Sequence, residues 1–125
     1  MDENSIGEKV LGCALKVHKA LGPGLLESAY EACLARELDK ARLDYQRQIV
    51  LPLIYDGETI GQGYRLDLLV AKKVVVEVKA VEQLAELHQA QLLSYLKLGR
   101  YRLGYLLNFN VARMSDGIRR LVNGL

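Results

Sequence analysis

The chain has 125 residues and is short of several things. It holds only two cysteines, Cys13 and Cys33, both in helical patterns and without metal-ligand spacing. That excludes a cysteine-based zinc cluster. The two are expected to be buried thiols of a reducing compartment, with a disulfide between the two helices as the alternative. No apolar stretch approaches the roughly 20 residues that span a membrane. The first residues, "MDENSIGEK", are acidic and polar and do not read as a signal peptide, so the expected location is the cytoplasm. A net charge of only +2 neither demands nor excludes nucleic acid, because a local basic patch matters more than the sum. A phosphate-cradling glycine loop and a nucleophilic serine elbow are both missing, which removes the main rival enzyme classes. There is no internal repeat and no low-complexity segment.

What is present suits one domain over residues 1–125: half of the chain is hydrophobic and 26% is charged. Ser5 and Glu8 form an S-x-x-E capping pattern, followed by a helical stripe at Ile6, Val10, Ala14, Val17 and Leu21. Gly22-Pro23-Gly24 breaks that helix, and a second is expected from Leu25 to Ala41. From Gln46 the pattern turns to strand. "QIVLPLIY" ends at Asp56-Gly57, a hairpin signal, and Pro52 marks an edge strand or a bulge. A second strand runs from Thr59 to Val70, with Gly61 and Gly63 at a bend or bulge. The third, Val74 to Ala80, is apolar on both faces and reads as central. A helix from Gln83 to Leu98, closed by Gly99, leads to a fourth strand, "YRLGYLLNF". Strand, helix and strand make a right-handed crossover, so strands three and four should be parallel. The tail, Val111 to Leu125, reads as either a short strand or a helix.

Chemistry concentrates on Asp67, Glu77 and Lys79. They lie in "YRLDLLV" and "VVVEVKAV", joined by Ala71-Lys72-Lys73. If that link is a three-residue hairpin loop, Val70 faces Val74 and Asp67 falls opposite Glu77. Two carboxylates opposite each other on one face repel. A divalent cation with oxygen ligands between them would resolve the repulsion, and Lys79 shares the face of Glu77. Asp67, Glu77 and the carbonyl of Val78, with waters, would satisfy Mg²⁺ or Mn²⁺. Lys79 would orient the attacking water and stabilise charge on a phosphate, or simply pair with Glu77. Arg65, two residues before Asp67, should share its face and could hold a phosphate or neutralise the acids. Glu27 stands in the first turn of its helix, where the dipole alone favours a carboxylate. His88, Gln91 and Tyr95 form one polar stripe on the third helix. Lys72, Lys73, Arg100, Arg102, Arg119 and Arg120 are candidates for nucleic-acid backbone contacts or solvated surface.

This order of elements, with D…E-x-K across strands two and three, resembles the PD-(D/E)xK nuclease superfamily. Gly24 to Tyr30 reads G-x-x-E-x-x-Y, the signature of the small GxxExxY proteins grouped within it. The proline of the "PD" is absent, since Leu66 precedes Asp67. The resemblance implies an α/β, restriction-endonuclease-like core: a mixed sheet of about four strands flanked by helices, in the order α-α-β-β-β-α-β. It also implies that Glu27 helps to bind the metal or a metal-bound water. Gln91-x-x-x-Tyr95 looks like the Q-x-x-x-Y motif of the exonuclease-like branch, whose residues flank the site and contact the strand. The expected activity is a Mg²⁺- or Mn²⁺-dependent nuclease, with DNA ahead of RNA. The alternatives are a binding or interaction module that kept the fold but not turnover, and a small-molecule or RNA phosphodiesterase. At this length no separate recognition domain is expected, so specificity is expected to come from nucleic-acid structure, a homodimer or a partner.

Overall fold

Asp2 starts the first helix: its carboxylate accepts the amide of Ser5 at 2.8 Å and satisfies one of the free N–H groups of the first turn. The cap is thus three residues earlier than the expected Ser5, which lies inside the first turn and is itself held by the aspartate. The computed structural model describes all 125 residues, apart from the side chain of Gln62. Helix α1 spans Glu3–Leu21 and α2 spans Glu27–Lys40. Strands β1 (Tyr45–Tyr55), β2 (Glu58–Val70) and β3 (Val74–Lys79) follow, then α3 (Glu86–Gly99), β4 (Leu103–Asn108), a short 3₁₀ turn (Met114–Gly117) and β5 (Ile118–Val122). None of the helices is long and apolar enough to cross a membrane.

The five strands lie in chain order, β1-β2-β3-β4-β5. All neighbours are antiparallel except β3 and β4, which are parallel across the α3 crossover, as the strand–helix–strand order requires. The fifth strand exceeds the expected count of about four. It is the tail, whose Ile118–Val122 segment pairs with β4.

Both hairpins use left-handed backbone. Asp56 (φ 53°) and Gly57 (φ 76°) close β1 on β2, and Ala71 (φ 52°) and Lys72 (φ 58°) close β2 on β3. The second link sets the register Val70–Val74, Leu69–Val75 and Leu68–Val76, as the sequence implied. Pro52 sits on edge strand β1 between two register shifts, where the missing N–H costs no central ladder bond.

The sheet has a core on each face. Ile6, Val10, Ala14 and Val17 of α1 and Tyr30, Leu34 and Leu38 of α2 meet Leu68, Val70, Val74, Val76 and Val78. On the opposite face, Leu92 and Leu96 of α3 meet Leu66, Leu69, Val75 and Leu106. Burying each such side chain stabilises by about 1.5–3 kcal/mol, so the sandwiched β3 and β4 form the most firmly held part of the sheet. Cys13 and Cys33 are free thiols, the first buried.

Two details of α3 differ from expectation. It begins at Glu86, not Gln83, because Asn108 holds both the N–H and the C=O of Val81 in extended chain. It ends with Arg100 in the left-handed cap position (φ 60°), not Gly99. Gly99 is required for another reason: a side chain there would run into the ring of Tyr101.

Candidate functional site

The β2–β3 ladder stops at Leu68–Val76, and the next residues on the two strands are Asp67 and Glu77. Beyond that point the strands fork, and the acids' side chains take over the ladder's hydrogen bonds. The amide of Asp67 donates to Glu77 Oε2 at 2.9 Å, and the amide of Val78 donates to Asp67 Oδ2 at 2.8 Å. Each carboxylate is therefore pinned to the strand that carries the other.

Opposite Asp67 the pairing of β1 is also disturbed. Arg47 pairs with Leu68 and Ile49 with Leu66, while Gln48 between them is left-handed (φ 53°). Leu66 and Leu69, three residues apart, both face the α3 core, so the strict alternation of β2 slips at this point. The slip lets Asp67 open on a cleft of about 220 Å³ beside α2. Glu27, Ser28, Glu31, Gln48, Arg65 and the strand at Val78 complete its walls.

Electrostatics follow from burial. Glu77 is 6% exposed, and desolvation, then the charge of Asp67, push its carboxyl up to about 8 against an ordinary 4.5. The Asp67 carboxyl is also raised, by desolvation first, with the amide of Val78 pulling the other way. Lys79, half-buried at the end of β3, favours the charged form of both acids. Among the described residues it makes no direct ion pair with either; only Lys40–Glu37 and Arg47–Glu31 do so. The simple Lys79–Glu77 pair weighed from the sequence is therefore not present.

The acids on α2 differ from each other. Glu27 is exposed and lines the cleft. Glu31, one turn on, is buried, and both its oxygens are engaged: Arg47 at 2.9–3.0 Å on Oε2 and Gln48 at 2.7 Å on Oε1. Sequence reasoning missed Glu31 and its two partners. The i, i+4 spacing from Glu27 was the available signal, but the partners come from β1, whose twist at Gln48 no local pattern announces.

Tyr30 packs. Its ring stacks on Phe109 (centroids 4.7 Å apart), and its hydroxyl donates to the Gly22 carbonyl and accepts from the Leu25 amide. It thereby fixes the loop that launches Glu27. Asn108, also missed, is 2% exposed; besides Val81 it accepts from the amide of Asn110. It lies beside Lys79 in the β3–β4 register and holds the chain leaving that lysine.

On α3, Tyr95 stacks on Tyr64 of β2 at 4.8 Å, and the charges of Glu77 and Asp67 help burial to raise its hydroxyl. Gln91 is exposed and makes no hydrogen bond to the protein among the described residues. His88 accepts the amide of Ala85 and caps the helix, and His18 bonds the carbonyl of Val111. Lys73, Arg102, Arg119 and Arg120 bond to their own chain.

Among the described residues no three of His, Cys, Asp and Glu converge as one coordinating group, so Glu27 does not join Asp67 and Glu77 in a three-acid site. The two acids that do meet still fit a hard divalent cation. Glu77 is buried and Asp67 half-buried, they repel each other and have no directly paired base, and each keeps one oxygen free of main-chain bonds. Mg²⁺, which keeps several waters, asks for no more protein ligands than this.

A sheet sandwiched by helices, with two acids and a lysine at a strand fork, defines a hydrolase core of the nuclease type. The chain belongs to the PD-(D/E)XK nuclease superfamily, whose family model matches residues 4–121. No curated protein and no solved structure matches it. Membership carries a coarse activity: metal-dependent hydrolysis of phosphodiester bonds in nucleic acid.

Proposed function

We propose that this protein is a Mg²⁺- or Mn²⁺-dependent nuclease that hydrolyses phosphodiester bonds in DNA. The observation that carries the reading is the fork itself, where half-buried Asp67 meets buried Glu77, with Lys79 at the end of the Glu77 strand. A structural role alone gives no reason to bury two repelling acids there. The resemblance of Gly24–Tyr30 to the GxxExxY signature, and of Gln91-x-x-x-Tyr95 to the Q-x-x-x-Y motif of the superfamily's exonuclease-like branch, supports the nuclease assignment.

Asp67, Glu77 and the carbonyl of Val78 would hold the cation. A divalent ion there supplies charge that polarises a phosphoryl oxygen and acidifies a water. Lys79 orients the attacking water and offsets charge building on the phosphate. Glu27, exposed across the cleft, acts through a water. Arg65, at the cleft wall, grips a neighbouring phosphate. Tyr95 and Gln91 flank the strand from α3.

The test is a panel of labelled single- and double-stranded DNA and RNA, with Mg²⁺, Mn²⁺ or EDTA. Divalent-dependent cleavage is expected. Lys79→Ala should lower it about 10²–10⁴-fold while leaving binding largely intact. If no substrate is cleaved, yet wild type and Lys79→Ala bind nucleic acid equally, the protein is a binding module.

A further inference from the structure

A second groove lies on the α3 face of the sheet, and the hydrolytic chemistry above makes no use of it. It measures about 530 Å³, against about 220 Å³ for the cleft at Asp67. That is within the range of about 300–1,000 Å³ usual for ligand sites. The groove runs between the bulged part of β1, β2 and the last turn of α3. Ile54 and Leu98 line it with 60% and 51% of their surfaces exposed, and Tyr64 and Tyr101 add aromatic wall. Lys97 and Arg100, both exposed, supply positive charge, and no acidic residue lines it. Arg100 holds a left-handed cap position that glycine usually takes, so a long cation is kept there at a conformational cost.

Tyr64 connects this groove to the acids. Its ring stacks on Tyr95, which lies within the field of Glu77 and Asp67. Its hydroxyl and the ring of Tyr101 both lie close to Gly99. From Tyr95 to Arg100 is about 7.5 Å along the helix axis, or about two nucleotides of a stacked strand.

We infer that this groove binds an unpaired segment of the nucleic-acid substrate, with bases against Tyr64, Tyr101, Ile54 and Leu98 and phosphates on Lys97 and Arg100. The inference rests on the nuclease reading. Cationic walls without an acid favour a polyanion, and flat aromatic and apolar surfaces favour exposed base faces. A duplex keeps its bases stacked inside and could use only the two cations. The protein would therefore grip a single-stranded end or flap beside the acids.

The experiment is fluorescence anisotropy in EDTA, which stops turnover, using labelled oligothymidylate and a blunt duplex of equal length. The variants are Tyr101→Ala, Ile54→Asp and Lys97→Glu. The last two change exposed side chains, so they report even if Tyr101→Ala unfolds. Single-strand affinity should fall about 5- to 50-fold in each, with duplex affinity changing less than about twofold in Tyr101→Ala and Ile54→Asp. Lys97→Glu should also flatten the salt dependence. If all three bind the single strand like wild type while wild type still cleaves, the groove is overturned and the nuclease reading stands. Equal losses on single strand and duplex in Tyr101→Ala and Ile54→Asp overturn it as a site for unpaired strand. A wild-type dimer that Ile54→Asp makes monomeric makes the groove an interface between copies, which also overturns it. If no oligonucleotide is bound or cut, both readings fail.

Discussion

Most carboxylates stabilise a fold more as pH rises; Glu77 should do the opposite in metal-free protein. Its folded carboxyl is raised from 4.5 to about 8, so between those values the folded state holds a proton that the unfolded state has lost. The stability it contributes is full below pH 4.5 and is lost as pH climbs through about 8. At about 1.4 kcal/mol per pH unit, the loss reaches about 5 kcal/mol. That is a large share of the roughly 5–15 kcal/mol that holds a typical domain together. Glu77→Gln keeps the shape and an oxygen for the amide of Asp67 but cannot ionise. Urea unfolding in EDTA should find wild type and variant within about 1 kcal/mol at pH 5. At pH 9 the variant should be ahead by about 4 kcal/mol, or on the order of 10 °C in Tm. Adding millimolar Mg²⁺ at pH 8 should restore wild type and leave the variant unmoved. Parallel stability curves for the two proteins from pH 5 to pH 9 would refute the account of the fork as a site of uncompensated buried charge.

Three further outcomes are expected. Asp67→Asn should lose the thermal shift that Mn²⁺ or Mg²⁺ gives wild type, read by differential scanning fluorimetry. Arg47→Ala leaves the buried Glu31 carboxylate without its guanidinium and should cost about 1–3 kcal/mol in urea unfolding at pH 7. Asn108→Ala removes all three of its bonds, to Val81 and Asn110, and should cost about 2–4 kcal/mol. Because it frees the chain just beyond Lys79, cleavage should fall further than the stability loss alone explains.

Much of this was legible in the chain because the signals are local. Asp56-Gly57 fixes one hairpin, and the three-residue link sets the register that brings Asp67 to Glu77. The apolar run of Val74 to Val78 marks the central strand, and the crossover rule makes β4 its parallel neighbour. What escaped depends on contacts distant in sequence. Ile118–Val122 has no strong strand pattern of its own and becomes β5 by lying along β4. Glu31 reads as one more polar residue of an amphipathic helix until Arg47 and Gln48 arrive from β1. Gly99 looks like a helix stop, yet the fold needs it for the ring of Tyr101. Asn108 sits inside an apolar strand, where its amide has meaning only because Val81 passes beside it.

Two adjacent residues at the end of β4 brace opposite sides of the fork. Asn108 grips the chain that leaves Lys79, and Phe109 backs Tyr30, which sets the loop before Glu27. The lysine and the helix acid come from segments some fifty residues apart, yet both refer to one short mounting. A shift in that mounting would move them together, preserving their separation while changing their aim at the acids. Two consecutive side chains thus give the lysine and the helix acid a common reference point.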